Sequence, residues 1–182
     1  MEKESILSTK DMVLTALMTA LVFLAGSIIK VPSVGGFVHI GDCMVFLSVI
    51  VLGKKKGTLA SALGMFLVDA LGGYYFWAPF TFIIKGVMAY IEGTILEKMA
   101  DYSKSVRYMT AFIVSGIFMV AGYFAAGIIV AGFLTDKVGL IAGIAYSAKD
   151  IIGNIIQVTT GIIIALPLSV VVIKAKNSVY AD

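Results

Sequence analysis

Polar and charged side chains interrupt the apolar segments of this chain at only a few positions. Asp150, Asn154 and Gln157 are spaced i, i+4, i+7, so they share one face of a predicted helix. Lys85 lies six residues after Pro79, which at 1.5 Å per residue places it about 9 Å inside an apolar segment. Charges in hydrocarbon are costly unless they face a cavity or a partner, so these side chains are candidates for a binding site.

Further charged residues lie at the ends of apolar segments. Asp42 begins one segment, Asp69 ends the next, and Lys149 is adjacent to Asp150. If successive segments alternate in direction, these groups and Lys85 come to one level just below one surface, and we expect an outward-facing pocket there. The alternative is an interfacial role, because long side chains near the ends of spans can reach the membrane surface.

Aromatic residues are concentrated in the segment 72–79, which holds Tyr74, Tyr75, Phe76 and the single tryptophan, Trp77. Such rings can stack on a flat ligand, while the Tyr hydroxyls and the indole N–H fix its orientation. The same residues would also suit an aromatic belt at the level of the lipid headgroups. Both interpretations remain open from the sequence.

The connection 30–41 has the proline and glycine residues of a structured loop that could close over the pocket. His39 lies three residues before Asp42 and is predicted either to contact a substrate or to be a satisfied polar group of the loop. One cysteine, Cys43, and one histidine cannot form a disulfide framework or a multi-histidine metal centre. We therefore expect no metal and no cofactor.

The composition is that of an integral membrane protein. Of the 182 residues, 60% are hydrophobic and 14% are charged, and the mean hydropathy is +1.03, whereas soluble domains are about 45–50% apolar and about 25% charged. We predict one all-α membrane domain, residues 1–182, with a single bundle of six transmembrane helices. The second is short, so we expect it to continue into the preceding loop or to lie partly in protein. The predicted spans are 12–29, 43–52, 57–71, 80–97, 108–134 and 148–173.

Basic residues are distributed unequally between the two sides of this bundle. One side, with both termini, holds ten of them, and the other side holds Lys30 and Lys137. The positive-inside rule therefore predicts that both termini are cytoplasmic. The ten are Lys3, Lys10, Lys54, Lys55, Lys56, Lys98, Lys104, Arg107, Lys174 and Lys176.

The sequence argues against two other classes of membrane protein. An enzyme using Asp42, Asp69 and Lys85 in acid–base chemistry would need a base and a nucleophile in fixed proximity, and no compact motif supplies them. A small channel would need polar residues over the full height of a pore, whereas here they occupy one half. The glycine-containing segment 53–57 lacks the Lys-Ser/Thr ending of a phosphate-binding loop, so we expect ATP hydrolysis to require partner subunits.

Small residues on the first predicted helix favour contact with another helix. Ala16 and Ala20 form a small-xxx-small pair, which permits close approach of two backbones. We predict that this pair faces a partner subunit.

Several segments together resemble the S components, or substrate-binding subunits, of energy-coupling factor (ECF) vitamin transporters. The similarity covers essentially the whole chain, and it is strongest for the riboflavin-type group, which includes importers of vitamin B6 and of hydroxymethylpyrimidine. The segments are the Ala-x-x-x-Ala pair, Gly36-Phe37-Val38-His39-Ile40-Gly41-Asp42, Leu52-Gly53-Lys54-Lys55-Lys56-Gly57, Ala70-Leu71-Gly72-Gly73-Tyr74 and Ala78-Pro79-Phe80-Thr81-Phe82-Ile83-Ile84-Lys85-Gly86.

The resemblance implies a multi-pass protein of a prokaryotic plasma membrane that captures a small vitamin from outside. Such a subunit docks through its first helix on a transmembrane coupling subunit and two cytoplasmic ATPases, and it topples in the membrane to release its cargo. A vitamin B6 or hydroxymethylpyrimidine compound is the favoured substrate, with riboflavin or a queuine-like base as the alternative. The residues predicted to bind it are His39, Asp42, Asp69, Tyr74, Tyr75, Trp77, Lys85, Lys149, Asp150, Asn154 and Gln157.

Overall fold

The structure is a computed structural model that describes residues 8–32, 37–135 and 139–179, with side chains up to residue 174. The described residues form six α-helices and one short antiparallel pair of strands. In chain order the elements are α1 (Thr9–Ile28), β1 (Lys30–Pro32), β2 (Phe37–His39), α2 (Asp42–Leu52), α3 (Lys54–Leu71), α4 (Ala78–Lys98), α5 (Lys104–Ile129), a π-helical turn (Val130–Leu134) and α6 (Gly139–Val179).

Two features differ from the sequence prediction. The last helix begins at Gly139, so the residues before 148 that were predicted as an external connection are helical. The predicted connection ended at Ser147, just before the charged residues Lys149 and Asp150, but charged residues on an exposed or cavity-facing side do not terminate a helix as Pro or Gly does. The connection 30–41 contains a small hairpin in which Lys30 pairs with His39, although the chain was predicted to be all-α.

Local sequence signals explain several helix boundaries. Ser8 is the N-cap of α1, and its hydroxyl oxygen accepts a hydrogen bond from the Asp11 N–H at 3.2 Å. Gly53 alone separates α2 from α3 and has a φ of 79°, a conformation that glycine adopts without steric penalty. Pro79 lies in the first turn of α4, where its missing N–H is not needed.

The helix α2 lies inside the bundle, between α3 and α6 and against α1 and α4. Its 11 residues span only about 16 Å, far less than a hydrocarbon core of about 30 Å. Most of its side chains, including Val45, Phe46 and Val49, are buried. A short helix is tolerated here because it is surrounded by protein rather than lipid, as the sequence analysis anticipated.

Four helices in the described part of the chain are long and apolar enough to cross a membrane. They are α1, α4, α5 with its π-helical turn, and α6 up to Lys174. Their apolar residues cover the outer surface of the bundle, and many of the large ones, such as Leu17, Ile117 and Ile163, are more than half exposed. Such a surface matches a lipid environment rather than water.

One end of the bundle carries most of the described lysines, and we call it the basic end. Lys56 at the start of α3 forms an ion pair with Asp11 at the start of α1. Lys54 pairs with Glu97 at the end of α4. These pairs bring the beginnings of α1 and α3 and the end of α4 together. The basic end thus contains Lys54, Lys55, Lys56, Lys98, Lys104 and Lys174.

An ion pair between Lys85 of α4 and Asp42 of α2 lies in the interior, and both side chains are completely buried. The second carboxylate oxygen of Asp42 accepts a hydrogen bond from Gln157 Nε2 on α6 at 3.2 Å. Gly161 makes this close approach of α6 possible, because a Cβ at that position would lie 2.8 Å from the Asp42 Cβ. Three helices are therefore joined at one buried carboxylate.

Replacing Lys85 with methionine is expected to lower the free energy of unfolding by about 3–5 kcal/mol, because Asp42 would remain buried without its cation. The double variant Asp42→Leu/Lys85→Met should recover part of this loss, since no unpaired charge remains, although the Gln157 amide loses its acceptor. Denaturation in mixed micelles with increasing dodecyl sulfate measures the effect.

The control for this experiment is Lys149→Met, which removes an exposed lysine of α6. It should change the unfolding free energy by no more than about 0.5 kcal/mol. If Lys85→Met were as stable as the unmodified protein, the ion pair would not have the structural role assigned to it.

Candidate functional site

A small cavity lies at the end of the bundle opposite to the basic end. Its volume is about 50 Å³, room for roughly four water molecules. The hairpin, the α3–α4 connection and helices α3 to α6 all contribute to its wall. The lining residues are Phe37, His39, Asp69, Tyr74, Trp77, Thr81, Tyr123, Asp150, Asn154 and Gln157.

One side of the cavity is a chain of hydrogen bonds across three helices. Tyr123 on α5 donates its hydroxyl to Thr81 Oγ1 on α4 at 3.2 Å. Thr81 in turn donates to the carboxylate of Asp69 at the end of α3. All three are cavity residues, so this wall presents oxygen atoms that are already oriented by their neighbours.

The floor of the cavity connects the hairpin to the buried ion pair. The backbone N–H of His39 donates to Gln157 Oε1 at 3.2 Å, while Gln157 Nε2 donates to Asp42. Asp42 and Lys85 do not line the cavity but lie immediately below it, and the Lys85 ammonium is 5.3 Å from the centre of the Tyr123 ring. The single amide of Gln157 therefore fixes the hairpin relative to α2 and α6.

The third side consists of Asp150 and Asn154, one turn apart on α6. The Asn154 amide donates to the Asp150 carbonyl oxygen at 3.2 Å, and both residues are partly buried. Together with Gln157 they form the polar face that the i, i+4, i+7 spacing predicts.

His39 contributes a neutral ring. Its Nδ1 accepts a hydrogen bond from the Gly41 N–H at 3.1 Å. Burial lowers the pKa of His39 to about 4, although the negative charge of Asp42 partly opposes this effect, so the ring is uncharged at neutral pH. A neutral imidazole that accepts at Nδ1 carries its proton on Nε2, and His39 therefore offers a hydrogen-bond donor rather than a cation.

Aromatic rings surround the opening of the cavity. Phe37 of the hairpin and Tyr74 of the α3–α4 connection pack edge to face, with ring centroids 4.8 Å apart. Trp77 lies 6.2 Å from the Tyr123 ring. The Lys30 ammonium is 4.2 Å from the centroid of Phe37, which further fixes the hairpin against this aromatic cluster.

The structure brings together most of the residues that the sequence singled out and separates others. Two predicted residues lie outside the cavity, because Tyr75 and Lys149 are exposed at the surface. Asp42 and Lys85 form its support rather than its wall. Seven predicted residues line it directly, namely His39, Asp69, Tyr74, Trp77, Asp150, Asn154 and Gln157.

Three lining residues were not predicted from the sequence. Thr81 is four residues before Lys85 and thus on the same face of α4, which is a signal that could have identified it. Phe37 lies within the hairpin segment quoted for the resemblance, but its ring gave no functional signal. Tyr123 lies in a long apolar helix, and only the packing of α5 against α4 places its hydroxyl at the cavity.

The arrangement suits a small, flat and polar molecule. The carboxylates Asp69 and Asp150 and the amides Asn154 and Gln157 provide acceptors and donors at fixed positions, while Tyr74 and Trp77 provide ring surfaces. Within the described residues, no group of three or more His, Cys, Asp or Glu side chains is arranged to hold a metal ion.

Comparison with known proteins identifies the family. The sequence model of the family described as "ECF-type riboflavin transporter, S component" matches residues 6–174. The chain is 32% identical over 142 residues to an uncharacterized protein in the gap 3' region of Pyrococcus woesei, covering 71% of this chain and 93% of that protein. It is 28% identical over 163 residues to the thiamine precursor transporter HmpT of Lactococcus lactis subsp. cremoris (strain MG1363), covering 88% and 86% of the two chains.

The family match spans nearly all of the chain and includes every element that forms the cavity. The polar cavity within a bundle of apolar helices has the properties of a site that binds a water-soluble compound in a membrane protein. The chain belongs to the family of ECF-type riboflavin transporter S components, and it is the substrate-binding membrane subunit of a vitamin or vitamin-precursor importer.

Proposed function

We propose that the cavity binds a one-ring heteroaromatic vitamin precursor, with hydroxymethylpyrimidine favoured over a vitamin B6 compound. The observation that carries this proposal is the lining of the cavity, which combines carboxylates and amides with aromatic rings. A pyrimidine with amino and hydroxymethyl substituents has donors for Asp69 and Asp150 and ring nitrogens that accept from an amide or from His39 Nε2–H.

The size of the cavity supports a single ring rather than a flavin. A volume of about 50 Å³ is small compared with ligand pockets of roughly 300–1,000 Å³. Even a pyrimidine requires a modest displacement of the hairpin or of the aromatic cluster. The three-ring system of riboflavin would require a much larger one, at the expense of the Phe37–Tyr74 contact.

The name of one relative is consistent with this choice. The Lactococcus protein is a transporter of a thiamine precursor, and hydroxymethylpyrimidine, one of the two compound types that the sequence analysis favoured, supplies the pyrimidine moiety of thiamine. The alignment with that relative covers 88% of this chain, which is enough to include the cavity.

We further propose that residues 1–182 form one membrane domain with six spans in a prokaryotic plasma membrane. The cavity then opens to the outside, and both termini and the basic end face the cytoplasm. The positive-inside rule supports this orientation, because the described lysines are concentrated at the basic end. ATP hydrolysis is then supplied by two cytoplasmic ATPases that act through a transmembrane coupling subunit.

The exposed side of α1 is the proposed contact with the coupling subunit. Thr15, Met18 and Val22 face the bundle and are buried, whereas Ala16 and Ala20 are exposed on the other side of the helix. Two exposed alanines one turn apart leave space for a second helix to approach closely.

Fluorescence of Trp77 is expected to report substrate binding, because the only tryptophan of the chain lines the cavity. Titration of the purified protein with hydroxymethylpyrimidine should change the emission in a saturable way, and Trp77→Phe should abolish the signal. Pyridoxine and riboflavin serve as competitors. Saturable binding of riboflavin without any response to hydroxymethylpyrimidine would contradict the proposed substrate. If none of the three compounds bound, the proposal that the cavity binds a heteroaromatic vitamin or precursor of this kind would be wrong.

Substitution of Asn154 by alanine is expected to weaken substrate binding by about 1 kcal/mol or more, which is about fivefold in Kd, because a hydrogen-bonding group is removed from the cavity. Thr159→Ala is the matched control, since Thr159 is exposed on another side of the same helix. The same titration measures both variants, and their melting temperatures verify that they are folded. Equal affinities would place the substrate elsewhere.

Substitution of Ala16 or Ala20 by tryptophan is expected to abolish transport without changing substrate affinity, since the added volume blocks helix contact far from the cavity. Ala125→Trp introduces the same side chain at an exposed position of α5 and should leave transport intact. Cellular uptake and co-purification of the coupling subunit are measured together with titration. Normal uptake by both α1 variants would exclude this face as the docking surface.

A further inference from the structure

A groove between α5 and α6 opens at the basic end of the bundle. Its volume is about 470 Å³, and its wall comes only from the first turns of α5 and the last described turns of α6. From Leu166 to Lys174 it extends about 12 Å along α6. Val170 and Met109 in this wall are 53% and 41% exposed, so the groove is open to the surroundings.

The groove is apolar along its length and positively charged at its end. Leu166, Met109 and Ile173 provide apolar surface, while Lys104 and Lys174 are exposed lysines that flank the same groove. None of its described lining residues is acidic. One turn from Lys104, the Nε of Arg107 is buried and has no hydrogen-bond partner.

This distribution of charge matches one kind of occupant. A phospholipid of a bilayer places an acyl chain along an apolar surface and its phosphate at the membrane boundary, which is the level at which lysines end a transmembrane helix. Basic pockets between helices favour anionic over zwitterionic headgroups, because an anionic headgroup adds a net negative charge. A polypeptide segment bound in the groove explains this arrangement less well than a phospholipid does, because it would not require cations at only one end.

We propose that this groove is a binding site for one anionic phospholipid, such as phosphatidylglycerol. The phosphate lies between Lys104 and Lys174, and an acyl chain lies along the α6 wall past Val170. The helix α1 packs on α2 and α3, so its exposed alanine face is separate from this site. A lipid bound here would therefore remain in place while α1 contacts a partner.

Native mass spectrometry of the purified protein with equal amounts of phosphatidylglycerol and phosphatidylcholine of identical chains tests the proposal. The protein should retain one phosphatidylglycerol at least about tenfold more than phosphatidylcholine. Lys104→Gln/Lys174→Gln should abolish this preference, because each lysine contributes about fivefold to it. The control Lys55→Gln/Lys98→Gln removes two exposed lysines elsewhere at the basic end and should retain the preference.

A second pair of variants tests the apolar part of the site without changing charge. Val170→Trp places an indole in the groove and should reduce retention of the lipid about tenfold or more. Val171→Trp is the matched control, because the adjacent residue is exposed outside the groove and should bind lipid normally. Melting temperatures show whether the variants are folded. If a lysine variant does not fold, Val170→Trp and Val171→Trp still provide an independent test.

Four results would overturn the proposal. Equal retention of the two lipids, or an equal loss of preference in the Lys55/Lys98 control, would mean that the groove does not select an anionic lipid. Displacement of the lipid by glycerol 3-phosphate alone would indicate a site for a free anion. If the Val170→Trp variant no longer co-purified with the coupling subunit, and the unmodified protein showed no lipid preference, the groove would be a contact for a protein partner.

Discussion

The buried ion pair between Lys85 and Asp42 is the interaction on which the remainder of the structure depends. Neither charge is stable in this environment without the other, so α2 and α4 have a fixed relative position. Asp42 also accepts from Gln157, and the glycine at position 161 allows α6 to approach the same carboxylate. Since α2 is too short to span a bilayer by itself, its place in the bundle is determined by these contacts and by its buried apolar side chains.

The same carboxylate determines the geometry of the proposed substrate cavity, although it does not line that cavity. Gln157 uses one end of its amide for Asp42 and the other for the backbone of the hairpin. A movement of the hairpin that admits substrate must therefore break or stretch a hydrogen bond that is anchored on the ion pair. The oxygen atoms of Asp69, Thr81 and Tyr123 on the opposite wall are joined to one another rather than to this network. The cavity thus has one wall that is hydrogen-bonded to the hairpin through Gln157 and another whose side-chain oxygen atoms are hydrogen-bonded to one another.

Polar and apolar residues occupy different levels along the axis of the bundle. Groups that can recognise a soluble ring are found at one end, where they are sheltered by aromatic residues such as Tyr74 and Trp77. Lysines are found at the other end, and the surface between is apolar. The proposed substrate site is thereby separated from the proposed contacts with lipid and with partner subunits. It also means that substitutions on α1 or in the α5–α6 groove can be tested without disturbing the cavity.

The sequence alone determined the membrane class, the six helical segments to within a few residues for most boundaries, and the polar face of α6, because hydropathy and helical periodicity are local properties. It did not determine where α6 begins, since Lys149 and Asp150 resemble a boundary although the helix continues past them. Only the tertiary structure decided that Lys85 pairs with Asp42 rather than lining the cavity, and that Tyr123 reaches it from an apolar helix. These facts depend on which helix faces of distant segments meet, and that is a property of packing rather than of spacing along the chain.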